Sequence, residues 1–326
     1  MGKLRLGFDI GSSTLKIATL RKKEFRVEEV RLPENMVDST GEGGGIALPH
    51  VFAQFLKQTR KELRLPRGPA ALVLPPSQVI CRMVTMPQMN EEQLMMNLPY
   101  EFSDFIQGAA DQYRCDYAVC TAAEGEVDGV PMMAAVAAKD TLAEYTRMFA
   151  QAGIKLRVVV PQEMALIQLL QARGTGAEEF CFVDLGHRHT RITVVWRDRV
   201  QATRQIPLGG RNIDLAIADG QGVDAFLANT YKLSNFQSVL DLPVVADVCD
   251  RIAVEILKVV NFYQFTYRSS SLAGVYLVGG GAALPLLRRS IENTVDLPVL
   301  NPAELLPECG QEAAAGVFAA GAVMGG

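Results

Sequence analysis

Two acidic-glycine stretches carry the residue types from which a phosphate site can be built. The first, Leu4-Arg-Leu-Gly-Phe-Asp-Ile-Gly-Ser-Ser-Thr-Leu-Lys-Ile-Ala-Thr-Leu20, reads as a strand, a tight turn and a second strand. Gly11, Ser12, Ser13 and Thr14 form the turn, and Asp9 and Lys16 flank it. Gly11 lets the backbone approach a ligand closely, while successive N–H groups and hydroxyls make a concavity suited to phosphate oxygens. Lys16 supplies positive charge, and Asp9 is of the type that orients a water on Mg²⁺. Taken alone, such a turn is more often a plain hairpin, because Gly-Ser turns between strands are common.

Repetition changes that balance. Cys181-Phe-Val-Asp-Leu-Gly-His-Arg-His-Thr-Arg-Ile-Thr-Val-Val195 overlays the first stretch without a gap, so that Asp184 falls on Asp9, Gly186 on Gly11 and Arg191 on Lys16, a constant offset of 175. Self-similarity of this kind points to two related domains, each offering a phosphate-gripping hairpin to one ligand between them. A third element, Gly274-Val-Tyr-Leu-Val-Gly-Gly-Gly-Ala-Ala-Leu-Pro-Leu-Leu287, reads as a buried strand, a triple glycine and a helix start. Gly279, Gly280 and Gly281 would let backbone lie flat against a purine or ribose. Neither Walker spacing nor a dinucleotide G-x-G-x-x-G with its acidic partner is present.

These three motifs resemble the phosphate 1, phosphate 2 and adenosine motifs of the actin, heat-shock chaperone and hexokinase ATPases. In the second hairpin the D-x-G-x-x-x-T pattern is carried by Asp184, Gly186 and Thr190. Ile206-Pro-Leu-Gly-Gly-Arg-Asn-Ile-Asp214 is similar to the segment that follows it in that superfamily. The resemblance implies an α/β chain with the actin-like ATPase fold, two RNase H-like lobes, and ATP with Mg²⁺ held by Asp9 and Asp184. It also implies nucleotide contacts from Gly11 to Thr14, Lys16, Gly186, His187, Thr190, Gly209, Gly210, and Gly279 to Gly281. Gln162 or its neighbour Glu163 would orient the attacking water, alongside Asp184. The alternative for both is a surface-polar start to a helix over 164–170. Glu255 and Lys258, on a long helix over 248–267, would lie near the ribose, or else form a plain surface pair.

Bulk properties agree with a globular protein. The 326 residues allow a substantial core divided into subdomains, with 49% hydrophobic and 21% charged residues. A net charge of −4 gives no electrostatic reason to expect nucleic-acid binding. Six cysteines without a C-x-x-C pair read as reduced thiols, most of them buried. No signal peptide is evident, and the Gly- and Ala-rich stretch over 313–326 is too short to span a bilayer. These features predict a cytoplasmic protein that reaches a membrane only through a partner.

Along the chain, residues 25–32 read as a strand and 38–45 as a solvated glycine-rich turn. Residues 49–64 read as an amphipathic helix, and 70–74 and 79–84 as strands. Residues 86–155 look like an inserted unit. Asn90 with Gln93 reads as a capping box, and Pro99 restarts the helix. Strands over 113–121 and 130–138 surround an acidic turn, Asp140 caps a helix that ends at Gly153, and a strand follows over 154–160. The aromatic run from Phe262 to Tyr267 is expected to pack into the second lobe.

Met86-Pro-Gln-Met-Asn-Glu-Glu-Gln-Leu-Met-Met-Asn-Leu-Pro-Tyr-Glu-Phe102 resembles the corresponding segment of the PilM family of type IV pilus assembly proteins. The segments beginning Ala137-Ala-Lys-Asp-Thr and Ala152-Gly-Ile-Lys-Leu are similar to the end of that family's small 1C subdomain. Departures are Ile106 followed by Gln107-Gly108, where the family often has Ile-Pro, and His187, where a small residue is usual. The resemblance implies a first lobe (1A) over 1–85, a partner-binding 1C over 86–155, and a return to lobe I over 156–178. Lobe II follows over 179–326, with 2B near 212–272 and Ala313 to Gly321 as a hinge connector. It further implies docking under the inner membrane onto the cytoplasmic N-terminal tail of a PilN-type protein, with tight ATP binding and weak hydrolysis. Self-association is left open, and no direct membrane insertion is expected. Alternatives are an FtsA-like polymerising division protein, although the chain stops at Gly326 without an amphipathic helix, a small-molecule kinase of the superfamily, or a scaffold with a decayed nucleotide site.

Overall fold

The computed structural model describes residues 4–22, 24–37, 45–121, 129–175, 178–267 and 271–325. Residues 38–44 of the glycine-rich turn and the acidic turn at 122–128 lie outside them. Contacts divide the chain into two units. One holds the chain to 176 with 197–200 and 316–326; the other holds 177–196 and 201–315.

In the first unit, β1 (Leu6–Ile10), β2 (Thr14–Arg21) and β3 (Glu24–Arg31) form an antiparallel meander. Leu6, Phe8 and Ile10 alternate onto one face with Leu15 and Ile17, following the period of two that strands impose. Helix α1 (Pro49–Glu62) starts with proline, whose missing N–H costs nothing in a first turn, and buries Phe52, Ala53 and Leu56. β4 (Pro69–Leu74) is an unbroken apolar run parallel to β1, as a strand covered on both faces must be.

β5 (Ile80–Met86) leaves this sheet and begins a smaller one. Helix α2 (Glu91–Asn97) carries the capping box: Gln93 N–H donates to Asn90 Oδ1 at 2.9 Å, and Asn90 N–H donates to Gln93 Oε1 at 3.3 Å. Pro99 then falls in a 3₁₀ turn, Leu98–Phe102, which restarts the chain as expected. β6 (Tyr113–Val119) and β7 (Val130–Ala138) complete a three-stranded sheet in the order β5-β7-β6. That sheet therefore starts at Ile80, ahead of residue 86, because β5 pairs with β7 along its whole length.

Helix α3 (Lys139–Gln151) corrects another expectation. Asp140 sits inside its first turn, and Ala138 occupies the N-cap without a side-chain bond. A carboxylate there still meets the positive end of the helix dipole. α3 buries Tyr145, Met148 and Phe149 in the core of the first sheet, with Phe149 edge-on to Phe8 at 5.1 Å. β8 (Lys155–Pro161) pairs parallel to β4, giving the order β3-β2-β1-β4-β8, and α4 (Gln162–Arg173) follows directly.

The second unit repeats this plan. β9 (Glu179–Leu185), β10 (Thr190–Trp196) and β11 (Arg199–Ile206) form the meander. Helices α5 (Gly210–Gln221), α6 (Ala225–Ser234) and α7 (Pro243–Thr266) come next. β12 (Leu272–Val278), α8 (Pro285–Thr294) and β13 (Val299–Leu300) complete the sheet in the order β11-β10-β9-β12-β13. As in the first sheet, the central strand has an antiparallel neighbour on one side and a parallel one on the other. The aromatic run at the end of α7 divides by helical periodicity. Tyr263 is buried in the core, whereas Phe262 and Phe265 are 58% and 74% exposed, contrary to the expected packing.

Helix α9 (Ala313–Met324) is almost wholly apolar, and its residues from 316 belong to the first unit. Gly321 crosses α4 so closely that a Cβ there would overlap the Ala165 carbonyl. All six cysteines are free thiols, five of them buried. No helix among the described residues is long and apolar enough to cross a membrane.

Candidate functional site

The two bends share their strand register and their closing hydrogen bond. In the first, Asp9 lies opposite Lys16 and Ile10 opposite Leu15, with Gly11 N–H donating to the Thr14 carbonyl at 2.9 Å. In the second, Asp184 lies opposite Arg191 and Leu185 opposite Thr190, with Gly186 N–H donating to the His189 carbonyl at 3.1 Å. Each of these residues is 175 positions beyond its counterpart. Asp9 and Lys16 form an ion pair at 3.8 Å with 14% and 11% of their side chains exposed. The N–H groups of Ser12, Ser13, His187 and His189 donate to no acceptor among the described residues. Backbone donors left open in a turn are what an anion-binding concavity requires.

The second bend is fastened from behind. Gly210 N–H donates to the Gly186 carbonyl at 3.0 Å, and Arg211 N–H to the His187 carbonyl at 2.6 Å, so the first turn of α5 holds the bend. Thr190 is fully buried, and its hydroxyl donates to the Leu208 carbonyl at 2.9 Å, tying the bend to the segment before α5. Gly209 N–H donates to Asn212 Oδ1 at 2.9 Å, closing the helix start.

The glycine triad meets this bend within the same unit. Gly279 has a φ of +81°, open to glycine but strained for other residues, and a Cβ there would strike Asp184 Oδ1. At Gly281 a Cβ would lie 2.8 Å from the Leu185 carbonyl. Instead of running straight into a helix, the triad makes a short 3₁₀ turn over Gly280–Ala283, and α8 begins at Pro285.

Gln162 and Glu163 form the first turn of α4 and are 7% and 4% exposed, so they are not a surface-polar helix start. Glu255 and Lys258 bond to each other at 2.6 Å on an open face of α7. Among the described residues, no three His, Cys, Asp or Glu side chains cluster as metal ligands.

Asp214, Asn229 and Lys232 carry chemistry that local spacing does not reveal. All three are buried, at 1%, 9% and 5% exposure. Lys232 Nζ lies 2.6 Å from Asp214 Oδ1 and donates to the Gly210 carbonyl at 3.1 Å, while Asn229 Nδ2 donates to Asp214 Oδ2 at 3.1 Å. His187 Nδ1 stands 3.6 Å from Asp214 Oδ2. Burial pushes the His187 pKa down to about 4, with Lys232, Arg188 and Arg211 acting in the same direction against Asp214. Burial also lowers that of His189, and Arg188 adds to the effect. Asp214 closes the Gly-Gly-Arg-Asn-Ile-Asp segment, the one local hint; Asn229 and Lys232 come from a different helix.

Two lobes of one topology, each with an acidic-glycine bend, define the actin-like ATPase fold. The chain resembles the structure titled "PilM-PilN type IV pilus biogenesis complex" with a TM-score of 0.76 and 23% identity, covering 98% of this chain and 96% of that one. It also resembles the ethanolamine utilization protein EutJ from Carboxydothermus hydrogenoformans, with a TM-score of 0.61 and 17% identity over 99% and 89% of the two chains. The family model of the type IV pilus assembly protein PilM matches residues 7–308, and the chain belongs to that family.

Proposed function

We propose that this chain binds a magnesium–nucleoside triphosphate at its two bends and docks, in a nucleotide-dependent way, the cytoplasmic N-terminal tail of a PilN-type inner-membrane protein. The carrying observation is the duplicated bend with one register and one closing hydrogen bond in both units. Ser12, Ser13, Lys16 and the second bend would hold phosphate oxygens. Gly279 to Gly281 would admit the nucleoside, and Glu255 and Lys258 would approach the ribose. Asp9 and Asp184 would hold Mg²⁺, which neutralises phosphate charge when bound. Carboxylates are hard oxygen ligands that suit Mg²⁺, which keeps waters and takes the remaining ligands from phosphate. Gln162 and Glu163 would orient water, although no evident base accompanies them, so turnover is slow.

The PilM–PilN complex supports the partner, as does apolar surface on the small subdomain, where Met96 and Tyr100 are 69% and 75% exposed. The tail would lie between the first sheet and the small sheet, placing the protein at the cytoplasmic face of the inner membrane. The test is a pull-down with synthetic PilN-type N-terminal tails, with and without Mg-ATP, for the wild type and Asp184→Ala. Capture that responds to Mg-ATP in the wild type but not in the variant is expected. Capture indifferent to both would leave a plain scaffold.

A further inference from the structure

We propose that Lys232 is the positioning residue of the second bend: it locks the first turn of α5 through Asp214 and the Gly210 carbonyl, and that turn presents the bend's N–H groups for an anion. The proposal rests on the nucleotide reading above and assigns a role to a side chain outside both bends. The geometry runs in three steps. Lys232 Nζ bridges Asp214 Oδ1 at 2.6 Å and the Gly210 carbonyl at 3.1 Å, so one ammonium joins two points on the opening of α5. Gly210 and Arg211 N–H groups, fixed by that bridge, take the carbonyls of Gly186 and His187. A trans peptide points its N–H opposite to its C=O, so the bond to the Gly186 carbonyl holds the open N–H of His187 on the side away from α5.

Charge supports this reading. Asp214 is buried, and a buried carboxylate persists only when it is paired and hydrogen-bonded. Lys232 and Asn229 supply those partners from α6. His187 is kept neutral by burial first, with the Lys232 charge acting in the same direction, although it is only 3.6 Å from Asp214. Arg188 and Arg211, the other charges facing the imidazole, also disfavour its protonation. Without Lys232, the nearest group able to neutralise Asp214 is His187 itself.

The experiment pairs NMR titration of the His187 ring with calorimetric Mg-ATP binding, in the wild type and Lys232→Met. The expected result is a ring that stays neutral from pH 8 to 5 in the wild type and titrates upward of its wild-type midpoint by at least one unit in the variant. Mg-ATP affinity should fall at least tenfold. A folded Lys232→Met protein with an unmoved ring and wild-type affinity overturns the proposal. Should that variant fail to fold, Asp214→Asn with Lys232→Met removes both charges together. Tenfold weaker binding by the folded double variant supports the proposal, and wild-type binding overturns it. If the wild type binds no Mg-ATP, the nucleotide reading fails, and the ring titration still decides whether Lys232 controls the bend.

Discussion

At the scale of single residues, His187 and His189 both make the second bend sensitive to pH, and His187 is the more buried of the two. Its pKa is about 4 in the folded chain against an ordinary 6.5. A depressed histidine is protonated first in the unfolded state, so stability falls as pH drops from about 6.5 to about 4. With 26% of the side chain exposed, the loss should be about 2 kcal/mol once solvent screening is allowed for. His187→Gln, which cannot titrate, should flatten that part of the urea-midpoint curve while leaving the midpoint at pH 8 within about 1 kcal/mol. An unchanged slope would place the acid sensitivity elsewhere.

At the scale of elements, two devices set how segments start and cross. The Asn90 capping box secures α2, whose Leu94 is buried in the core of the small sheet. Asn90→Ala should cost about 1 kcal/mol, seen as faster hydrogen exchange at Gln93 and Leu94. The crossing of α9 over α4 depends on a missing side chain at Gly321. Gly321→Val would push the branched side chain into the Ala165 backbone, and a loss of about 2 kcal/mol or more is expected by thermal or urea unfolding. A wild-type transition for that variant would mean that α9 does not pack as described. Near the small sheet, Arg82 pairs with Asp104 in a two-pronged contact and lies over the Phe102 and Phe105 rings at 4.9 and 5.2 Å. That arrangement holds the turn after α2 by charge and ring contact together.

At the scale of the whole molecule, duplication makes a claim that neither bend makes alone. If both bends grip one triphosphate, Asp9→Asn and Asp184→Asn should each weaken Mg-ATP binding at least tenfold by calorimetry. The two effects should be less than additive when combined, since the substitutions then share one ligand. Loss with only one of the two variants would mean that the other bend, whose variant still binds, is a structural relic of the duplication.

Much of this architecture was legible in the chain itself. Alternating apolar residues set the hairpins, and the offset repeat set their equivalence, because period and spacing are local properties that survive without a fold. The Asn90 box was legible for the same reason: its partners are three residues apart. Only tertiary structure could bring Lys232 of α6 to Asp214 of α5, place α3 in the core of the first sheet, and bury one face of α7 while leaving Phe262 and Phe265 in water. Those outcomes depend on which faces of distant segments meet, and no spacing along the chain encodes that.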